Sequence, residues 1–271
     1  MAKDSPLHAV VLNEPLSMNG MVGLESLVSK ISAITVGADY RNLAAYFGAK
    51  ISTGFQNALI VGPQGTGKTT FAKVLAFEYR KAGLIAPTSP IMFVDAVDLA
   101  GEYVGQSEEK TKKLLHSIIE GVIIIDEIDS LMDIGHFGSS VLNTLNAHMG
   151  NAVNSPIIIA TCYASRKEEL LAVNKGLEGR FRHIMHMPEY NTDNLTDMFI
   201  KKILHAGLIP GNDVAATVKD LLAQIKKAKG PLFAHAREVQ NIFDAVIDAH
   251  AARLHQEGID FSQIGSGERR S

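Results

Sequence analysis

Apolar and polar positions fall into two regimes along this chain of 271 residues. Up to about Pro188, short apolar runs alternate with stretches of helical period. Beyond it only the helical period remains. The runs are Ala58-Leu59-Ile60-Val61, Ile91 to Val94, Val122 to Ile125, Ile157 to Ala160 and His183 to Met187. Runs of four or five residues, rich in β-branched types, predict buried strands. Between them, Leu24, Leu27, Val28 and Ile31 predict one amphipathic helix, and Tyr40 to Phe47 a second helical stretch. The segment from Gly48 to Gln56 is a loop into the first strand, and Phe71, Val74, Leu75 and Tyr79 predict a helix after it. Gly83 to Pro90 is a turn-rich connection. Strand and helix alternating in this way predict an α/β domain with a parallel, doubly wound sheet.

From Asn191 onward three helical stripes follow one another. Leu195, Met198, Phe199 and Leu204 form the first. Val214, Val218, Leu221, Leu222 and Ile225 form the second, and Val239, Ile242, Phe243, Val246, Ile247 and Leu254 the third. The expected organisation is an irregular lead-in over 1–19, an α/β domain over 20–188, a small helical domain over 189–256 and a loose polar tail over 257–271.

Composition acts here by exclusion. Apolar residues make up 46% and charged residues 20%, the balance of a soluble globular protein. No apolar run approaches a membrane span, and the N-terminus lacks the apolar core of a secretory signal, so no membrane partner is expected. Cys162 is the single cysteine, which rules out an internal disulfide and suits a reducing cytoplasm. A net charge of −3 offers no global attraction for nucleic acid. The ten histidines include no pattern with acids or cysteine at metal-ligand spacing, and His183 and His186 on one strand would point to opposite faces.

Chemistry enters with Gly62-Pro63-Gln64-Gly65-Thr66-Gly67-Lys68-Thr69, which fits G-x-x-x-x-G-K-S/T between a predicted strand and a predicted helix. That is the context a phosphate-binding loop needs. The loop from Pro63 to Thr70 surrounds the phosphates of ATP, with the backbone N–H groups after Pro63 turned inward, and the helix N-terminus favours negative charge there. Lys68 reaches the β- and γ-phosphates and Thr69 ligates Mg²⁺. A second signal is Val122-Ile123-Ile124-Ile125-Asp126-Glu127, a buried strand ending in two acids. A parallel sheet carries them to its ligand-binding edge. Asp126 then holds the Mg²⁺ shell and Glu127 polarises the attacking water. A pair of acids in a helix's first turn is the plainer reading, and the upstream loop outweighs it.

These residues resemble the AAA+ ATPases, and among them the group of CbbX and stage V sporulation protein K, which includes the red-type Rubisco activase. The likeness spans about residues 20 to 250. It runs through MVGLESL, VDAVDLAGEYVGQSEEKTKKLL, IIEGVIIIDEID, NKGLEGRF and AHAREVQNIF. It implies a P-loop NTPase sheet followed by a small all-α lid, and ATP hydrolysis in a homo-oligomeric ring, a hexamer, that acts on a protein client. It also implies roles for residues. Backbone near Val22 and Gly23 would touch the adenine. Tyr103-Val104-Gly105 matches an aromatic pore loop that grips an extended polypeptide. Arg180 matches an arginine finger, with Arg182 a competing choice. Arg237 matches the second sensor at the nucleotide, and Thr161 the first. The chain departs from the pattern at Glu178, where the family has arginine, at Cys162-Tyr163, where it has glycine and tyrosine, and at Ile128-Asp129-Ser130.

The residues themselves bear on these roles. Tyr103 lies between Gly101 and Gly105, where an exposed aromatic competes with one packed under its own loop. Arg237 lies opposite the third stripe and so cannot face that domain's core. Gly135-His136-Phe137-Gly138, after the acidic strand, is a possible second pore loop. Two other functions share the same nucleotide site: a nucleic-acid-associated loader or helper, and a scaffold whose assembly ATP controls.

Overall fold

The computed structural model describes residues 9–13, 21–49, 56–103, 105–118, 120–150 and 155–258. The chain divides into two compact units, Met1–Glu189 and Tyr190–Ser271. The first is built on a six-stranded sheet. Its strands are β1 (Val10–Val11), β2 (Ala58–Gly62), β3 (Ile91–Asp95), β4 (Val122–Asp126), β5 (Ile157–Tyr163) and β6 (His183–His186). They lie in the order β1-β3-β4-β5-β2-β6. All neighbours run parallel except β1, which pairs antiparallel with β3.

Both faces of this sheet are covered, which is why its strands read as continuous apolar runs. Leu59, Val61, Ile123 and Ile125 belong to a core shared with α3 (Gln106–Ser117) and α4 (His136–Met149). The alternate residues Ile60, Ile124 and Ile159 are fully buried on the other face. There α2 (Lys68–Lys81) packs on β4 and β5. The helix that opens the unit, α1 (Glu25–Tyr46), packs on α2. Two short helices, α5 (Lys167–Val173) and α6 (Lys175–Glu178), lead into β6.

The structure corrects several expectations. The two helical stretches expected at Leu24–Ile31 and Tyr40–Phe47 are one continuous 22-residue helix. Gly37 does not break it, because a helix-interior glycine costs only about 1 kcal/mol. The lead-in contains β1, whose two residues are too short to leave a periodic signal. The expected second pore loop is the first turn of α4. Phe137 there is half-buried, and Gly138 is packed so closely that an added Cβ would stand 1.8 Å from the Leu131 carbonyl oxygen.

The second unit contains α7 (Thr192–His205), α8 (Val214–Lys229) and α9 (His235–Gln256). Its core is narrower than the stripes suggest. Leu195, Phe199, Ile203, Val218, Leu222, Val239 and Ile242 are buried, whereas Leu204, Leu221 and Val246 are exposed. Phe199 meets Phe243 edge-on. The α8–α9 turn is fixed by Glu238, whose buried carboxylate accepts from Lys229 Nζ at 2.6 Å and from the Ala234 N–H at 3.4 Å.

Candidate functional site

The site grows from the C-terminal ends of β2, β4 and β5. Register aligns Gly62 with Tyr163 and Ile125 with Ala160, so Asp126 and Thr161 emerge side by side. Gly62 ends β2 against β6: an added Cβ would lie 2.7 Å from Met187 Cβ. The loop then turns through Gly67, whose φ of +88° suits only glycine without strain. Gly67 is the N-cap of α2, and the buried Thr66 donates to the Pro63 carbonyl at 2.9 Å. The first N–H groups of α2 have no backbone acceptor among the described residues. These orphan donors fit an anion.

Lys68 is the first residue of α2 and is buried. Its Nζ donates to the Gly62 and Pro63 carbonyls at 3.0 and 2.9 Å and lies 4.1 Å above the Tyr163 ring centre. Burial holds its pKa below the usual lysine range, opposed by the charges of Asp129, Glu127 and Asp126. Thr69 Oγ1 lies 2.9 Å from each Asp126 carboxylate oxygen. A hydroxyl and a carboxylate this close form an oxygen donor set for a hard divalent cation such as Mg²⁺. Thr70 follows, exposed.

Thr161 is fully buried and ties the acidic pair together. Its hydroxyl donates to Asp126 Oδ1 at 2.6 Å and accepts the Glu127 N–H at 2.8 Å. Glu127 has a φ of +51°, a left-handed backbone rare for a residue with a side chain. Such strain persists only where neighbours impose it, and functional sites are where it gathers. The exposed Glu127 carboxylate accepts the Tyr163 hydroxyl at 2.6 Å.

Sequence reasoning gave no role in the site to three residues here. Tyr163 joins Lys68 to Glu127, and only the Gly62–Tyr163 register reveals it. Asp129 is buried behind the loop, and burial pushes its carboxyl above the ordinary range. Asp95 is paired in register with Asp126, and its carboxyl too is pushed up, by burial first and in part by the neighbouring carboxylates. Cys162, between Thr161 and Tyr163, has its thiol pushed up to about 12 by burial and is held as a neutral packing group.

The remaining site residues lie elsewhere. Arg180 stands at the opposite end of β2, where Asn57 Nδ2 donates to its carbonyl oxygen at 3.2 Å. Its guanidinium packs over Gly150, and the α6 turn before it is braced by Asn146 and Asn143, both bonded to Asn174 at 2.9 Å. Arg182 is exposed. Val22 and Gly23 lie in the loop before α1, with Gly23 at a φ of +71°. Tyr103 is 60% exposed, so the alternative of a ring packed under its own loop does not hold. Gln106 Oε1 accepts the N–H of Glu102 at 2.7 Å and that of Tyr103 at 3.3 Å, and Ser107 Oγ accepts that of Gly101. Gly105 caps α3, and Val104 lies outside the described residues. In the second unit Arg237 is exposed on α9, while Val239 and Ile242 of the same helix are buried. Among the described residues no group of three or more His, Cys, Asp or Glu side chains could hold a metal ion, and no helix is long and apolar enough to cross a membrane.

Against known families, residues 58–189 match the model of the ATPase family associated with various cellular activities, AAA, and residues 191–264 match an AAA lid domain. The chain belongs to the AAA ATPase family. Individual relatives agree. Stage V sporulation protein K of Bacillus subtilis is 26% identical to this AAA ATPase over 257 residues, covering 94% of the chain and 80% of the relative. The ESX-3 secretion system protein EccA3 of Mycobacterium tuberculosis is 29% identical over 276 residues, covering 96% of the chain. The AAA ATPase spans only 43% of the length of that secretion protein. A solved structure of Thermotoga maritima RuvB superposes with a TM-score of 0.61 at 20% identity, over 86% of this chain and 67% of that one, a likeness of fold.

Proposed function

We propose that this AAA ATPase couples ATP hydrolysis to the remodelling of a protein client, drawn through the pore of a homo-oligomeric ring, a hexamer, in the cytoplasm. The observation that carries the reading is Tyr103, a large exposed aromatic between Gly101 and Gly105 on a loop whose base is tied to α3. Such a side chain grips extended polypeptide without regard to sequence.

In this reading the orphan N–H groups of Lys68 and Thr69, with Pro63, Gln64, Gly65, Thr66, Gly67 and Thr70 around them, bind the phosphates. Lys68 exchanges its two carbonyl partners for phosphate oxygens. Thr69 and Asp126 hold Mg²⁺, which neutralises phosphate charge when bound. Thr161 keeps the Asp126 carboxylate turned toward Thr69 and fixes the Glu127 backbone. Glu127 orients and deprotonates the attacking water. Arg180 serves the neighbouring subunit's site as the finger, Arg237 serves as the second sensor, and the backbone at Val22 and Gly23 lies along the adenine.

The test is a trap. Glu127→Gln retains ATP and hydrolyses it very slowly, so it holds its client, and capture is compared with the same variant carrying Tyr103→Ala. Proteins retained only with Tyr103 intact support threading. Identical capture by both variants overturns it, as does recovery of nucleic acid in place of protein.

A further inference from the structure

The opening helix α1 has two faces free of charge. One is buried in its own unit, through Leu27, Ile31 and Ala38. The other is open. Ser29, Ala33, Val36, Tyr40, Leu43 and the C-cap Phe47 follow one another at alternating steps of four and three residues, and all are exposed. That spacing puts them on one seam, the a and d positions of a heptad, with Ala33, Tyr40 and Phe47 at a. Val36 is 65% exposed, Tyr40 65%, Leu43 57% and Phe47 77%, and the Tyr46 ring meets Phe47 edge-on beside the row. A covered aromatic side chain buries about 150–250 Å², so the patch offers on the order of 600 Å². That is the top of the range a monomer leaves open. Two such patches face to face bury about 1,200 Å², where stable interfaces begin.

The flanks of the seam are charged in a way that suits a second copy. Glu25 falls at g and Lys30, five residues on, at e; both are exposed. No ion pair among the described residues includes either. In two helices packed parallel and in register, g of one faces the e position five residues on in the other. Glu25 of each copy then meets Lys30 of the other. Antiparallel packing sets g against g and e against e. The g row of Glu25, Ser32, Asp39 and Tyr46 holds no base, and the e row of Lys30, Gly37 and Ala44 no acid, so nothing would pair.

We propose that this face of α1 binds the same face of a second copy of the chain, parallel and in register, as a two-stranded coiled coil. Val36, Tyr40, Leu43 and Phe47 stack along the two-fold axis, and a Glu25–Lys30 pair closes each side. Covering the seam releases the water held against its apolar side chains, which drives the association. The contact is isologous and closes at two copies. A finger that reaches from Arg180 to the next copy's phosphate loop is head to tail, so pairing through α1 is a separate interface. It needs neither nucleotide nor client, and it does not depend on protein remodelling.

The test uses the full chain without nucleotide. Cys162 is buried, so an engineered surface thiol is the one open to oxidation. Leu43→Cys, oxidised by oxygen with copper phenanthroline, should run as a disulfide-linked dimer on a non-reducing gel, because an in-register pair sets position 43 against itself. Asn42→Cys, exposed but off the seam, should stay monomeric on the gel. The crosslink reads the pair whether or not rings also form, since a head-to-tail contact does not bring two copies of position 43 together. By sedimentation, Tyr40→Glu with Leu43→Glu should weaken the dimer about a hundredfold or more, because it buries unpaired carboxylates. Glu25→Lys should weaken it about tenfold, and adding Lys30→Glu should restore it. Retained ADP binding shows that each variant is folded. No crosslink through position 43 overturns the proposal, as does a dimer indifferent to Tyr40 and Leu43. Failure of the charge swap to restore the dimer overturns it too. A monomer that binds phosphatidylcholine vesicles through Tyr40 and Leu43 also overturns it and assigns the face to a lipid surface.

Discussion

At the scale of single residues, Tyr163 is the side chain on which the nucleotide site turns. Its hydroxyl holds Glu127 while its ring lies under Lys68, so the two groups proposed to handle phosphate and water share one rest position. A bond to an exposed carboxylate is worth about 1 kcal/mol, or about a fivefold shift in population. Tyr163→Phe should therefore free Glu127 and raise basal ATPase by up to about fivefold at saturating ATP, measured as steady-state phosphate release. An unchanged or lower rate would mean that the hydroxyl aligns Glu127 and does not restrain it. Nothing in the sequence marks Tyr163 for this. Lys68, Thr69, Asp126 and Glu127 were legible because their spacing is local to one loop and one strand end. Tyr163 meets Glu127 across 36 positions, through a strand register that no linear pattern displays.

At the scale of elements, burial on both faces made the five parallel strands readable as apolar runs. The same logic failed where packing, and not periodicity, decides. Leu204, Leu221 and Val246 continue helical stripes that the second unit's small core does not reach. Glycines show the contrast best, because sequence gives them all one letter. Gly138 lets α4 start directly against the Leu131 carbonyl, and Gly138→Ala should cost about 3 kcal/mol or more, as overpacking against backbone does. Gly37 lies inside α1 with only the flexible end of Arg41 nearby, and Gly37→Ala should stabilise by about 0.5–1 kcal/mol. Denaturant midpoints at constant slope would read both. Equal effects would show that helix context, not the Leu131 carbonyl, governs Gly138.

At the scale of the whole molecule, the distance between Arg180 and the phosphate loop has a consequence for assembly. Asn57 fixes the Arg180 carbonyl at the start of β2, and the loop begins at its end, about 16 Å away for five strand residues. A finger placed there can serve only another copy's site. ATPase per subunit should then rise with protein concentration. Glu127→Gln and Arg180→Ala, each inactive alone, should regain part of the wild-type rate when mixed. No recovery on mixing, with assembly intact by sedimentation, would remove Arg180 from the role. The smallest element of the fold also matters at this scale. β1 contributes two residues, joined to β3 in register and extended by the Leu12 N–H on the Ile91 carbonyl. Without that strip, Ile91-Met92-Phe93-Val94 becomes the outermost strand, uncharged and with one row of backbone donors and acceptors open. Such an edge is a template for a strand from another chain. Trimming the protein past Leu12 would then show itself as seeded, sheet-to-sheet aggregation of folded molecules, with the melting point hardly moved.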